Sequence, residues 1–216
     1  NYRYTPLAQT VKRVLQSGDL GDIGAVSVRF FKGPHFGGFR DEMDYPLIVD
    51  MALHHFDMLR YFLNADPVSV YGKSWNPPWS WYKGDASAAV TAHFSSGAVV
   101  NYTGSWCSQG QETSWNADWR FECANGVLTV QDDRVYVQHL TGLEDHGGVH
   151  FTTHDALTEV PLVPMELQAQ AYLLHEFYEA VTNGRTPGTR CQDNIKTVEF
   201  VFDVVESFKT GAPVTR

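Results

Sequence analysis

Asp50 and His54 stand four residues apart in the run Asp50-Met51-Ala52-Leu53-His54-His55-Phe56-Asp57. In a helix, residues i and i+4 share one face, one turn apart. An imidazole titrating near neutral pH can take a hydroxyl proton, and an acid one turn earlier can hold its other ring nitrogen. Asp57 and Tyr61 continue the stripe. The bland alternative is a solvated i,i+4 pair that adds about 0.3 kcal/mol to the helix. Two carboxylates and an imidazole can also bind a divalent ion, and a metal-dependent hydrolase built on the His54-His55 pair is a further reading. No distant ligand is demanded by the sequence, and the expectation is no metal. His55 lies beside the apolar face and reads as a hydrogen-bonded packing residue. Asp57 reads equally as an orienting partner and as a structural acceptor.

The helix that must carry these groups has an apolar stripe of Ile48, Ala52, Phe56, Leu59 and Leu63 on its other side, a core-facing pattern. Pro46 suits its first position, with Asp44 or Tyr45 near the cap, and it runs to about Asn64. Before it come a helix over 7–16, ended by Gly18 and Gly21, and a strand over 25–30. A Gly-rich loop over 33–44 follows. After the helix come strands at 68–71, 87–94 and 98–105, then 119–123, 127–130 and 135–139. Ser95-Ser96-Gly97, Asn125-Gly126 and Asp132-Asp133 make the turns. Residues 141–156 are Gly- and His-rich and read as loop. Helices are expected over 166–182 and 193–210, the second capped by Gln192 or Asp193 and stopped by Gly211. The order predicts one α+β domain over 1–216, an open, mostly antiparallel sheet with helices packed on one face.

The chain of 216 residues carries 16 Lys and Arg against 25 Asp and Glu, a net charge of -9. That argues against nucleic acid or an anionic membrane as the main partner. No apolar run reaches the roughly 20 residues of a membrane-spanning helix. Cys107, Cys123 and Cys191 are odd in number and show no CxxC. Free thiols in a reducing, cytoplasmic setting are the simplest reading, with a Cys107–Cys123 bridge as the alternative.

Aromatic residues are the second signal. Trp75-Asn76-Pro77-Pro78-Trp79-Ser80-Trp81-Tyr82 is followed by Trp106, Trp115 and Trp119. Aromatic faces stack on the apolar faces of sugars, with polar neighbours taking hydroxyls. Such a loop equally suits a sheet edge or a subunit interface. Arg29, Lys32, His35, Arg40 and His154 are further polar candidates for a substrate, and Trp75 a stacking one.

Four motifs in this order resemble the C-terminal domain of the glucose–fructose oxidoreductase / inositol dehydrogenase (Gfo/Idh/MocA-type) family. They are Asn1-Tyr2-Arg3-Tyr4-Thr5-Pro6, Gly18-Asp19-Leu20-Gly21-Asp22-Ile23-Gly24, Asp50-x-x-x-His54 with Asp57, and Asn183-Gly184-Arg185-Thr186-Pro187 with the helix ending at Gly211. Two departures stand out: Ala52 replaces the family's Gly, and Tyr45-Pro46 replaces its Gly-rich turn into the helix. The resemblance implies the substrate-binding and oligomerising part of an NAD(P)-dependent oxidoreductase acting on a sugar, polyol or related hydroxy compound. It implies His54 as the proton-transfer residue, with Asp50 holding or orienting polar groups and Asp57 near the substrate. Tyr2 and Arg3 would lie near the cofactor. NAD or NADP would be held mainly by an N-terminal dinucleotide-binding domain, which this chain lacks together with the family's Lys. No GxGxxG follows a strand here. The chain alone would then be inactive, and it would assemble as a homo-oligomer through the open sheet face. The competing reading is a non-catalytic carbohydrate-binding or assembly module of the same fold.

Overall fold

The computed structural model describes residues 1–216. Thr5 accepts a hydrogen bond from the Ala8 amide at 3.2 Å and Pro6 takes the first helical position, so helix α1 (Pro6–Gln16) starts with both a cap and a preset φ. Its buried residues include Leu7, Ala8 and Val11. Strand β1 (Ile23–Phe31) alternates strictly: Val26, Val28 and Phe30 face the core while Ser27 and Arg29 face outward. The Gly-rich loop holds one short 3-10 turn, Gly38–Glu42. Entry to the central helix is through a π-helical turn, Leu47–Ala52, continuous with α2 (Leu53–Leu63). The turn follows directly on Tyr45-Pro46, and π-turns of this kind are frequent at functional sites. Ala52 is wholly buried and Asn64 ends α2 in the left-handed region (φ 48, ψ 41).

The remaining strands are β2 (Pro67–Trp75), β3 (Ser87–Phe94), β4 (Val99–Ser105), β5 (Asp118–Cys123) and β6 (Gly126–Gln131). Then come β7 (Arg134–His146), β8 (Val149–His154), β9 (Thr158–Val160) and, after helices α3 (Ala169–Thr182) and α4 (Cys191–Thr210), β10 (Val214–Thr215). The sheet order is β10-β2-β3-β4-β1-β5-β6-β7-β8, with β9 on β7. Only β1 and β4 run parallel; every other pair is antiparallel.

One row of opposed residues shows how register sorts the two faces. Val90, Tyr102, Val28, Trp119 and Val130 lie side by side and are all buried. The next row, Thr91, Asn101, Ser27, Arg120 and Thr129, is polar and faces away from the helices. Helices α2 and α4 close the core by stacking Phe56 on Phe200 (centroids 4.4 Å apart, planes 20° apart). Phe62 meets Trp119 edge-on. The apolar stripe of Ile48, Ala52, Phe56, Leu59 and Leu63 is buried as its spacing predicts.

Two expectations need correction. Residues 141–156 are largely strand, not loop: β7 runs on to His146 and turns through Gly147-Gly148 into β8. Helix α3 begins at Ala169 rather than Glu166, and α4 begins at Cys191 with Arg190 at the N-cap position, where no side chain caps it. The three cysteines are free thiols, the simplest reading of the sequence, and the alternative Cys107–Cys123 bridge is not formed. No helix is long and apolar enough to cross a membrane.

Candidate active site

His54 opens α2, and its imidazole lies face to face with the Tyr2 ring, centroids 4.4 Å apart and planes 17° apart. Tyr2 is held there by a 3-10 turn, Tyr2–Tyr4, just ahead of α1. The two rings form part of a cavity of about 260 Å³. Asn1, Leu53, Asp57, Leu173, Thr189, Asn194, Thr197 and Val198 complete its wall. Neither ring nitrogen of His54 is hydrogen-bonded within the chain, so both remain available to a ligand. Burial lowers the His54 pKa below its usual 6.5, opposed by the carboxylates of Asp57 and Asp50. The imidazole is therefore neutral at pH 7 and able to accept a proton.

Asp50 does not hold His54. Its Oδ2 accepts from Arg40 Nε at 2.6 Å. The Arg40 guanidinium also packs over the rings of Phe36 (5.0 Å) and Phe39 (4.8 Å). The i,i+4 spacing places the two side chains in one neighbourhood without a hydrogen bond between them. Asp57 lines the cavity, but its carboxylate is engaged from behind. Arg3 donates to it through Nε at 2.7 Å and Nη2 at 2.5 Å, and Thr197 Oγ1 donates at 3.0 Å. Arg3 donates again to Asp193 at 3.1 Å, and Asp193 accepts from Arg60 at 2.8 Å. Arg3 is buried and committed to these acids. It positions Asp57 and, through α2, His54.

His55 is the packing residue its place beside the apolar face predicts. It is fully buried, with Nε2 3.2 Å from the Trp115 carbonyl and Nδ1 3.2 Å from the Tyr102 hydroxyl. The carbonyl can only accept, so Nε2 carries the proton and Tyr102 donates to Nδ1. Burial drives the His55 pKa down to about 3.

The other candidates are dispersed. Arg29 stands on the open sheet face, 3.8 Å from Asp118. Trp75 ends β2 and His154 ends β8, both exposed; none of the three lines the His54 cavity. The aromatic run acts mainly as a clasp. Trp81 stacks on His35 at 3.6 Å, and the Tyr82 hydroxyl donates to the Pro34 carbonyl at 2.9 Å. Trp79 Nε1 donates to the Cys107 carbonyl at 3.0 Å. These contacts fix the Gly-rich loop that presents Arg40. The cavity walls Thr189, Asn194, Thr197 and Leu173 carried no local signal in the sequence. Leu173 comes from α3, Asn194 and Thr197 from α4 and Thr189 from the connection between them, and they meet His54 only through tertiary packing.

Asp50, His54 and Asp57 do not converge on one point, and no three metal-ligating side chains do so anywhere in the chain. A dinucleotide's phosphates fit poorly too. None of the four α-helices opens from a Gly-rich turn that could cradle a pyrophosphate.

An uncharacterised Sinorhizobium fredii protein, y4oX, is 28% identical over 223 residues, spanning 99% of this chain and 60% of its own length. The scyllo-inositol 2-dehydrogenase (NAD(+)) of Bacillus subtilis is 27% identical over 225 residues, spanning 98% of this chain and 60% of its own. The chain thus covers about three fifths of these relatives. Among solved structures, an Agrobacterium radiobacter oxidoreductase in complex with NAD+, L-tartaric acid and magnesium has the same fold. Its TM-score is 0.80 at 18% identity, over 99% of this chain and 62% of that one. Residues 8–129 match the GFO/IDH/MocA C-terminal domain, and the chain belongs to that family.

Proposed function

We propose that this chain is the substrate-binding part of an NAD(P)-dependent oxidoreductase acting on a sugar, polyol or related hydroxy compound. The observation that carries the reading is His54: a neutral imidazole, both nitrogens unpaired, in the wall of a cavity that also offers Asn194. The Asn194 amide suits a substrate hydroxyl. A hydroxyl placed against His54 loses its proton to the ring as the carbon is oxidised, and the reverse reaction returns it. Tyr2 covers one face of the imidazole, keeping water off it and fixing its plane. Asp57, itself fixed by Arg3, makes the transient imidazolium less costly. A bound nicotinamide supplies the hydride chemistry. The cofactor would then be held mainly by a dinucleotide-binding domain outside these residues.

The polar open face of the sheet is the surface through which we expect copies of the protein to assemble. Sedimentation at micromolar concentration tests this, and a monomer would count against it.

The test of the chemistry uses the full-length protein with His54→Asn. Reduced-nicotinamide absorbance is followed against sugars, polyols and hydroxy acids. Turnover on one class, lowered about a hundredfold or more by the substitution with little change in cofactor affinity, supports the reading. Equal turnover in both proteins removes His54 from the mechanism. Silence from both across the panel would favour the binding-module reading.

A further inference from the structure

The largest concentration of buried positive charge lies away from His54, at the far end of α2. A cavity of about 360 Å³ there is lined by Arg3, Lys12, Arg60 and Lys196, with Asp66 and Asp193 as its acids. Three of the four cations have carboxylate partners. Arg3 meets Asp57 and Asp193, Arg60 meets Asp66 and Asp193, and Lys196 meets Asp66. Lys12 has none, although the residue is only 8% exposed. Its Nζ donates to the Tyr61 carbonyl, one of the unpaired carbonyls at the C-terminal end of α2, and lies 4.8 Å from the centre of the Tyr61 ring. That satisfies one of three ammonium donors and meets its charge with partial charges only.

A buried cation without a counter-ion is costly, and here it borders a polar cavity that also presents Gln16 and Asn64 as donors. We propose that this cavity binds a small oxyanion, with Lys12 as its principal contact and Lys196, half exposed, at its rim. Phosphate and carboxylate ions share the required chemistry: several acceptor oxygens around one negative charge centre. Burial and the neighbouring Arg3 lower the Lys12 pKa, and an anion at this place would reverse that shift. The site is separate from the chemistry assigned to His54 and stands whether or not that assignment holds.

The full-length protein is titrated with inorganic phosphate at constant ionic strength. Thermal unfolding and ³¹P line width are read together, in the wild type and in Lys12→Met, which keeps the buried apolar stem. The expected result is a saturable rise in Tm and saturable ³¹P broadening in the wild type, with affinity at least about tenfold weaker in Lys12→Met. Lys196→Gln, at the exposed rim, keeps the test open should Lys12→Met fail to fold; it should weaken binding several-fold. Repeating the titration with acetate separates the two ion classes by relative affinity. No saturable response to either ion in the wild type would overturn the proposal. So would an undiminished response in Lys12→Met, or in Lys196→Gln if that is the variant that folds, since the ion would then be bound elsewhere.

Discussion

The Tyr2 ring lies parallel to the His54 imidazole at 4.4 Å, so a residue ahead of the first helix forms one wall of the site built on the second. Tyr2→Ala uncovers that face to water and relieves part of the burial that lowers the His54 pKa. The expected outcome is a His54 pKa that moves up toward 6.5, read from the imidazole proton shifts by NMR titration. An unchanged value would mean that Tyr2 does not shield the ring.

Asp57→Asn removes the anion between Arg3 and Thr197. Arg3 keeps only Asp193, and a buried guanidinium loses its bidentate partner. We expect a loss of about 2–3 kcal/mol in urea unfolding. The His54 pKa should also fall further, because the Asp57 charge favours its protonated form. A stability change without a pKa change would confine Asp57 to a structural role.

His55 makes stability depend on pH. Its folded pKa of about 3 lies below the unfolded 6.5, so the unfolded chain binds the proton more readily. The contribution is complete above pH 6.5 and is lost progressively as pH falls toward 3, with a slope of up to about 1.4 kcal/mol per pH unit. Urea unfolding between pH 7 and 5 measures this slope above most carboxylate titrations. His55→Gln should flatten it while lowering stability at pH 7.

Gly84 is a point of close backbone approach. A Cβ there would lie 2.2 Å from the Asp44 carbonyl oxygen and 2.3 Å from that of Met43. Gly84→Ala must push the aromatic run away from the segment leading into the π-turn. The expected cost is about 1–3 kcal/mol, with altered fluorescence from Trp81 as its stack on His35 loosens. Normal stability and fluorescence would show that the two loops move apart freely.

Local pattern carried much of the fold. The alternation of Val26, Val28 and Phe30 gave β1, and Asn125-Gly126 gave the β5–β6 hairpin. The stripe from Ile48 to Leu63 gave the buried face of α2 and, with it, the direction of His54. The β7–β8 arm was missed because its residues are exposed on both faces, so no apolar alternation marks it. Its Gly147-Gly148 turn (φ 67 and 90) was the available signal. The clamp of Arg3, Asp57, Asp193 and Arg60 joins residues from three distant parts of the chain. No local spacing encodes such a network; it exists only once the Tyr2–Tyr4 turn, α2 and α4 are packed. The same is true of Asp50, whose partner Arg40 sits in a loop that the sequence marks only as Gly-rich.

The one parallel pairing has a kinetic consequence. Joining β1 to β4 aligns Ala25 with Val99 and closes a loop containing α2, β2 and β3. Closing so long a loop carries a large entropic cost before its contacts repay it. The centre of the sheet should therefore zip late in folding, with the helix bearing His54 trapped inside the loop as it closes. Once closed, α2 cannot leave without breaking the middle of the sheet. Its amide hydrogens should exchange only on global unfolding, while the exposed β7–β8 arm exchanges long before.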